Sequence, residues 1–293
     1  MNDRIHRKMY PLTMALPALL LFTFFYVLST VLGLGFSLTD WNARNTVISF
    51  IGLDNFKMLL GEEHFLSAIR NNIFFALVAS TLKLLLGLAL ALVLNISFKG
   101  RNAYRAIFYM PSIMTTIVVG YIFKFIFQPR GGLINTFFAS QGMEKLAEIQ
   151  WLGSDLAIWA VLFVEVWMWS GYNGTIFLAG LQSIPTELEE AARMDGASRW
   201  QVFRHIRWPF LFPSLSVLVT VNLIGGFKMF DLVFAMTNGG PGFATETLST
   251  FLYKAQARGS MGYASCIGVV QFFIITAVCT PIFLYLKKKE REL

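Results

Sequence analysis

Four side chains in one apolar stretch have the types and spacing of a solute-binding surface. Glu165, Met168, Trp169 and Tyr172 fall at positions i, i+3, i+4 and i+7, which places them on one face of a helix. If this apolar stretch spans a membrane as a helix, a rise of about 1.5 Å per residue places Trp169 near the middle of a bilayer core of roughly 30 Å. Aromatic rings stack on sugar faces and carboxylates bond hydroxyl groups, so this face suits a polyhydroxylated solute.

A second apolar stretch carries Asn222 at a similar depth, with Gly226 and Met229 one and two turns further along the same face. Polar groups inside a membrane are costly and usually face the bundle interior or a water-filled cavity, so Glu165 and Asn222 favour a solute pathway. Taken alone, Trp169 and Met229 are more typical of helix packing. We therefore predict a pathway between these two helices, with packing as the alternative for its apolar members.

Charged residues inside the apolar stretches need partners. Lys228 and Asp231 are spaced i, i+3, so we expect them to neutralise one another near the outer face. Lys83 has no partner in its own helix and is expected to pair across the bundle or to line the cavity. Lys124 lies near a helix end, where its long side chain can reach the interface.

The elements that must position these residues are six long apolar runs. A membrane-spanning helix needs about 20 apolar residues, whereas a strand of a transmembrane barrel needs only about 9 to 11 alternating ones. The sequence therefore predicts an all-α fold, with one domain over residues 1–293 and six transmembrane helices. The predicted spans are residues 12–36, 72–96, 106–127, 156–181, 210–236 and 264–286.

Basic residues set the orientation of these spans. If the N-terminus is cytoplasmic, the cytoplasmic segments hold 14 Lys and Arg residues and the outside segments hold seven. This bias satisfies the positive-inside rule, so both termini are expected in the cytoplasm. It also accounts for most of the net charge of +7 without a nucleic acid, which we exclude as a partner. The first run follows Arg4, Arg7 and Lys8 but lacks a small-x-small cleavage site, which predicts a retained helix.

A polar segment, residues 183–209, separates the fourth run from the fifth on the predicted cytoplasmic side. Gly196 suits the left-handed end of a first helix, and Pro209 is expected to close a second one. The segment therefore reads as helix, glycine turn, helix. Two residue pairs match the capping-box pattern that begins a helix: Thr186 with Glu189, and Ser198 with Gln201.

Such a short helix pair is marginal in water by itself, so it is expected to need a partner surface. The alternative is a solvated connector lying on the membrane, and residue types alone leave both possibilities open. Three arginines in this segment are expected to contact lipid headgroups, at about 1 kcal/mol each. They are Arg199, Arg204 and Arg207.

The same segment resembles a known motif. Its letters "EAARMDG", then nine residues, then "IRWP", from Glu190 to Pro209, resemble the cytoplasmic EAA loop of permease subunits in binding-protein-dependent ABC importers. The match departs at Trp208, where the family usually has Leu. Four further stretches are similar to the carbohydrate-uptake branch of the family, of the maltose and glycerol-phosphate type. They are "FIGLDNF" at 50–56, "RAIFYMPS" at 105–112, "AMTNGGPGFAT" at 235–245 and "GYAS" at 262–265.

This resemblance implies a bacterial cytoplasmic membrane protein that imports a sugar, an oligosaccharide or a related solute by alternating access. It implies a second permease subunit in a heterodimer, two ATPase subunits that bind ATP and Mg, and an extracytoplasmic solute-binding protein. It also implies that the chain itself binds no cofactor. In such proteins the loop docks into a groove on the ATPase. The residues that the resemblance assigns to this coupling are Glu190, Ala191, Ala192, Asp195 and Gly196.

Other function classes find little support in the residues. The sequence has no phosphate-binding G-x-x-x-x-G-K-[ST] loop, and its three histidines are scattered, so we predict neither a motor nor catalytic or metal-binding residues. Cys266 and Cys279 are expected to be packing residues. An ion-coupled secondary transporter, using Glu165, Lys83 or Lys228, is the main alternative, although six spans without an internal repeat disfavour it. A membrane-embedded enzyme is a second alternative, which would need clustered nucleophiles or metal ligands.

Overall fold

The structure, a computed structural model, describes residues 12–44 and 47–292, and these residues form helices and loops without a strand. The all-α prediction is therefore confirmed. The chain divides into two compact units. One contains the residues up to Gly61 together with Leu252–Val270, and the other contains Glu62–Phe251 together with Gln271–Leu293. Arg4, Arg7 and Lys8, which contribute to the predicted orientation, lie outside the described residues.

The first unit contains helix α1, Leu16–Phe36, and helix α2, Asp54–Leu60. The turn after α1 is held by Asn55, which is buried and donates from Nδ2 to the carbonyl oxygens of Ser37 at 2.9 Å and Thr39 at 2.8 Å. A buried amide thus satisfies two backbone acceptors in the turn that follows the helix.

The second unit surrounds a long central helix. Its helices are α3 (Glu63–Asn95), α4 (Arg101–Ile113), α5 (Thr116–Ile126), α6 (Leu133–Ser140), α7 (Glu144–Ala147), α8 (Ala157–Gln182), α9 (Thr186–Met194), α10 (Arg199–Phe227) and α11 (Asp231–Met236). Two further helices contribute residues to both units. They are α12 (Leu248–Ala257) and α13 (Met261–Glu292).

Four helices among the described residues are long and apolar enough to cross a membrane, namely α1, α3, α10 and α13, and the bent pair α4–α5 makes a fifth if it is one span. Helix α8 is long enough, with 26 residues, but it carries Glu165, Tyr172 and Asn173 and is largely buried among other helices. By length and composition the structure therefore supports four or five membrane-crossing helices, and the predicted number of six is not confirmed.

Two predicted spans are interrupted. The run 106–127 is two helices, α4 and α5, that meet at an angle of 95°, because Met114 and Thr115 are extended after the turn containing Pro111. The prediction that residues 210–236 form a single helix is also wrong, because α10 ends at Phe227 and α11 begins at Asp231.

The central helix α8 packs mainly against α3. Small residues allow this close approach, since a Cβ atom added at Gly87 would lie 2.6 Å from Asn173 Cβ. A buried apolar cluster then joins α8 to α3, α5 and α11, and it includes Phe75, Met168, Leu232 and Met236. This packing fixes the positions of the helices that carry Lys83, Glu165 and Asn222.

Candidate functional site

A cavity of about 350 Å³ lies between α3, α5, α8, α10 and α11. Most of its lining atoms are apolar, and a few polar groups from different helices converge on it. This is the usual composition of a small-molecule site. The lining residues are Lys83, Thr116, Glu165, Trp169, Tyr172, Val221, Asn222, Gly225, Lys228, Met229, Phe230, Asp231 and Leu232.

An ion pair crosses the wall of this cavity. Lys83 Nζ on α3 donates to Glu165 Oε1 on α8 at 2.9 Å. Both residues are buried, so each charge depends on the other for its compensation. The partner that Lys83 was expected to find across the bundle is therefore Glu165.

Two aromatic rings and an amide line the cavity beside the ion pair. The rings of Trp169 and Tyr172 stand edge to face, with their centroids 5.9 Å apart. Asn222 on α10 donates from Nδ2 to Asn173 Oδ1 on α8 at 2.6 Å, which fixes the orientation of the Asn222 amide. The arrangement offers ring faces, a hydroxyl, an amide oxygen and paired charges to one space.

The structure brings five of the seven predicted pathway residues to this cavity: Glu165, Trp169, Tyr172, Asn222 and Met229. The other two lie elsewhere. Met168 is fully buried in the apolar cluster, and Gly226 packs against α3, where an added Cβ would lie 2.5 Å from Ala76 Cα. Among the other lining residues, Lys83 was expected either to pair across the bundle or to line the cavity, and it does both. Lys228 and Asp231 drew attention only as charges within a predicted span, and the remaining lining residues were not assigned to the pathway.

Lys228 and Asp231 both line the cavity, but the expected ion pair between them is absent from the described part of the chain. Their helical spacing does not apply, because Lys228 follows the last residue of α10 and Asp231 begins α11. The two charges are exposed and separate groups of the cavity wall.

The segment 183–209 has a helix, a glycine turn and the start of a second helix. Gly196 adopts a left-handed φ of +80°, and the backbone bonds Gly196 N→Arg193 O and Ala197 N→Ala192 O close the end of α9. These two bonds form a Schellman motif, which satisfies carbonyls at a helix end.

The beginnings of the two helices differ from the prediction in part. Ser198 and Gln201 form a capping box at the start of α10, but Thr186 does not cap α9, because Pro185 occupies the capping position. The expected stop at Pro209 is wrong, because α10 continues through it to Phe227 after a wider π-helical turn. The second helix of this segment is thus continuous with the membrane-crossing helix α10.

A bidentate ion pair fixes α9 against α10. Arg207 donates from Nε to Glu189 Oε1 and from Nη2 to Glu189 Oε2, both at 2.8 Å. The hydrogen bonds from Arg207 hold the pKa of Glu189 below its usual range, against the opposing effect of burial. Arg207 therefore binds a carboxylate of its own chain rather than serving only as the expected contact for lipid headgroups.

The outer surface of this helix pair is open. Glu190, Ala191, Asp195 and Gly196 are exposed, and Ala192 is half-buried. Apolar side chains are exposed beside them, with Met194 89% and Trp200 65% exposed. An exposed apolar surface with a polar rim is typical of a binding face.

Metal chemistry has no obvious place in the described residues. No group of three His, Cys, Asp or Glu side chains that could hold a metal ion lies among them. Cys266 and Cys279 are free and buried.

Several helices that are long and apolar enough to cross a membrane, together with a cavity that a few polar groups line, are typical of a multi-pass membrane transport protein. The family described as "Binding-protein-dependent transport system inner membrane component" matches residues 83–288, and the chain belongs to this family. The resemblance inferred from the sequence is thereby confirmed. In this family the chain is a permease component without enzymatic activity, and the ion-coupled alternative has no support.

Relatives match nearly the whole chain. The probable ABC transporter permease protein YurN of Bacillus subtilis is 35% identical over 289 residues, covering 97% of this chain and 98% of the relative. The trehalose/maltose transport system permease protein MalF of Thermococcus litoralis is 32% identical over 244 residues, covering 83% and 81%. A crystal structure of a bacterial ABC transporter involved in import of the acidic polysaccharide alginate is similar in fold, with a TM-score of 0.80, 23% identity and coverage of 99% and 98%.

Proposed function

We propose that this chain is one permease half of an ABC importer for a sugar, an oligosaccharide or a related polyhydroxylated solute. Its six spans are α1, α3, the bent pair α4–α5, α8, α10 and α13, with both termini in the cytoplasm. A second, different permease half completes the pathway. Two ATPase subunits drive alternating access, and an extracytoplasmic binding protein delivers the solute.

The composition of the cavity is the observation that carries this proposal. Trp169 and Tyr172 present ring faces at right angles, as the centroid distance of 5.9 Å and the interplanar angle of 89° describe. Asn222 and the ion pair of Lys83 with Glu165 supply hydrogen-bonding groups at the same space. Ring faces stack on the apolar faces of sugars while polar groups bond their hydroxyls, so a neutral sugar satisfies both kinds of group.

The helix pair of α9 and α10 supports the assignment of the energy-coupling surface. Glu190 and Met194 on α9 and Asp195 at its end are all exposed. A groove on an ATPase subunit would bury Met194 and pair the carboxylates. In this proposal the coupling residues are Glu190, Ala191, Ala192, Asp195 and Gly196.

The test is uptake by the transporter reconstituted in vesicles with its ATPase and its binding protein. The probes are labelled maltose and trehalose, the sugars in the name of the Thermococcus relative, with a neutral amino acid as the comparison. We expect ATP-dependent uptake of a sugar, reduced in Trp169→Ala. Trp159→Ala is the matched control, because Trp159 is on the same helix α8 but does not line the cavity. Uptake that follows an ion gradient without ATP would contradict the proposal.

A further inference from the structure

The helical structure is interrupted between α10 and α11, within the wall of the cavity. We call this interruption the break. Helix α10 ends at Phe227, α11 begins at Asp231, and the residues between them belong to neither helix. The residues of the break and residues on either side of it line the cavity. They are Gly225, Lys228, Met229, Phe230, Asp231 and Leu232. A helix end leaves backbone carbonyls without partners, and a buried carbonyl must find one elsewhere.

Side chains from three other segments bind the carbonyls at the break. The carbonyl oxygen of Phe227 accepts from Asn72 Nδ2 on α3 and from Gln271 Nε2 on α13, both at 2.8 Å. The carbonyl oxygen of Met229 accepts from Thr247 Oγ1 at 3.0 Å. All three donor residues are buried, so water does not compete for these bonds. We call Asn72, Gln271 and Thr247 the break clamp.

The break clamp also holds the segment that leads into α12. Asn72 Oδ1 accepts from the backbone N–H of Leu248 at 2.6 Å, and Gln271 Nε2 also donates to Ser249 Oγ at 2.9 Å. Each amide therefore joins the break to the start of α12. The neighbouring Asn71 donates to three carbonyl oxygens of the connecting loop, those of Phe243, Ala244 and Glu246.

We propose that the break clamp positions the cavity wall: its hydrogen bonds hold α10 and α11 apart as two helices and so keep Lys228 and Asp231 facing the solute pathway. None of the three clamp residues lines the cavity, so they act through the backbone. Each residue added to a continuous helix turns the chain by about 100°, so a break that closed into helix would redirect Asp231. The inference rests on the proposed function only for the role of the cavity in transport.

The experiment compares two cysteine reporters in the assembled transporter in membrane vesicles. Asp231→Cys lies after the break, and Val221→Cys lies before it in the same cavity wall. The reagent is a small neutral maleimide, and native Cys266 and Cys279 are buried and give a low background. In Asn72→Leu we expect the labelling rate at Asp231→Cys to change about tenfold while that at Val221→Cys stays within about twofold.

A second clamp variant and a matched control distinguish a specific effect on the break from a general loss of structure. Gln271→Met keeps the side-chain volume and removes the donors, so it should shift the Asp231→Cys rate in the same direction even where Asn72→Leu assembles poorly. Asn55→Leu removes a different buried amide that also bonds two carbonyls, and it should leave both rates unchanged.

Unchanged labelling at Asp231→Cys in both clamp variants would overturn the inference, as would equal shifts at both reporters. The labelling needs no solute. A failure of sugar uptake would therefore count against the proposed function alone, and a failure of this experiment against the break clamp alone.

Discussion

Lys83 Nζ lies 2.9 Å from Glu165 Oε1, and this contact joins α3 to α8 in the wall of the cavity. The two side chains are 4% and 10% exposed. Because water is largely excluded from this site, the removal of one charge leaves the other uncompensated. That change costs more folding free energy than the removal of both charges. The pair therefore couples the positions of α3 and α8 at the same place where the solute is proposed to bind.

Single and double substitutions of this pair should differ in a defined way. Lys83→Met and Glu165→Gln should each destabilise the protein by about 3 to 5 kcal/mol, because each strands a buried partner. The double variant Lys83→Met with Glu165→Gln should be more stable than either single variant. Thermal unfolding of the purified transporter measures all three. Additive losses in the double variant would show that the two charges do not interact.

Substitutions of cavity groups that are not in the ion pair give a cleaner test of the solute pathway. Trp169→Ala and Asn222→Ala should reduce uptake while the ATPase stays bound, because these groups line the cavity without carrying charge. Tyr172→Phe should be milder, since it keeps the ring and loses a hydroxyl contact of about 0.5 to 1.5 kcal/mol.

Met168→Leu is the control for this series, because Met168 lies on the same helix but in the apolar cluster. Uptake and ATPase co-elution are measured for each variant. Normal uptake in both alanine variants would remove these two residues from the pathway. Glu165→Ala should also lower uptake, but it strands Lys83, so its effect combines transport with stability.

The apolar runs predicted where helices lie but not where they break. A run of apolar residues indicates that a segment lies in an apolar environment, but it does not indicate where a helix ends. The apolar residues continue across the bend at Met114 and across the gap after Phe227. The bend at Met114 follows the turn that contains Pro111, whereas the gap after Phe227 depends on tertiary contacts. The gap after Phe227 is held by Asn72 and Gln271, which are far from it in the sequence.

Helical spacing likewise identifies the residues of the site only in part. Three of the predicted residues on α8 line the cavity, but Met168 lies about 60° from Glu165 around the helix and meets the apolar cluster instead. On α10 the same effect turns Gly226 toward Ala76. Helical spacing defines a face, whereas the neighbouring helices decide which part of that face borders a cavity.

The predicted orientation can be checked with impermeant thiol reagents. The excess of basic residues in the cytoplasmic segments predicts that the turn at Gly196 faces the cytoplasm. Ser198→Cys is exposed next to this turn, so it should react only after the cells are opened. Labelling of Ser198→Cys in intact cells would reverse the assigned topology.

The ion pair of Glu189 with Arg207 should give the helix pair a pH-dependent stability. The hydrogen bonds from Arg207 lower the pKa of Glu189 in the folded protein, so their stabilising effect is complete above the ordinary glutamate pKa of about 4.3 and is lost as the pH falls through the lower folded-state value. At neutral pH, hydrogen exchange in α9 should be faster in Glu189→Gln than in the parent.

That difference should disappear in acid, where the parent carboxylate also becomes neutral. Exchanging the two charges, with Glu189→Arg and Arg207→Glu together, should restore part of the protection that either change alone removes. A difference in exchange that persisted unchanged far below the ordinary glutamate pKa of about 4.3, in acid strong enough to protonate the parent carboxylate, would contradict this assignment.

The last prediction concerns the exposed surface of the helix pair. Glu190→Lys and Gly196→Leu should leave the membrane helices folded, because Glu190 is exposed and no atom lies within 4 Å of a Cβ added at Gly196. Loss of a charge partner buried in an interface costs about 2 to 5 kcal/mol, and a reversed charge should cost more. The ATPase should therefore detach from Glu190→Lys, or hydrolyse ATP without solute uptake.

Two substitutions of Gly196 separate the effect of backbone strain from the effect of an added side chain on docking. Its φ of +80° strains most side chains but is tolerated by Asn, so Gly196→Asn should retain more uptake than Gly196→Leu. Each variant is purified with its partners, and ATPase co-elution and solute uptake are compared with the parent. If Glu190→Lys and Gly196→Leu both keep full uptake with the ATPase bound, the helix pair is a solvated connector, because a docking surface could not accept a reversed charge and a strained turn together.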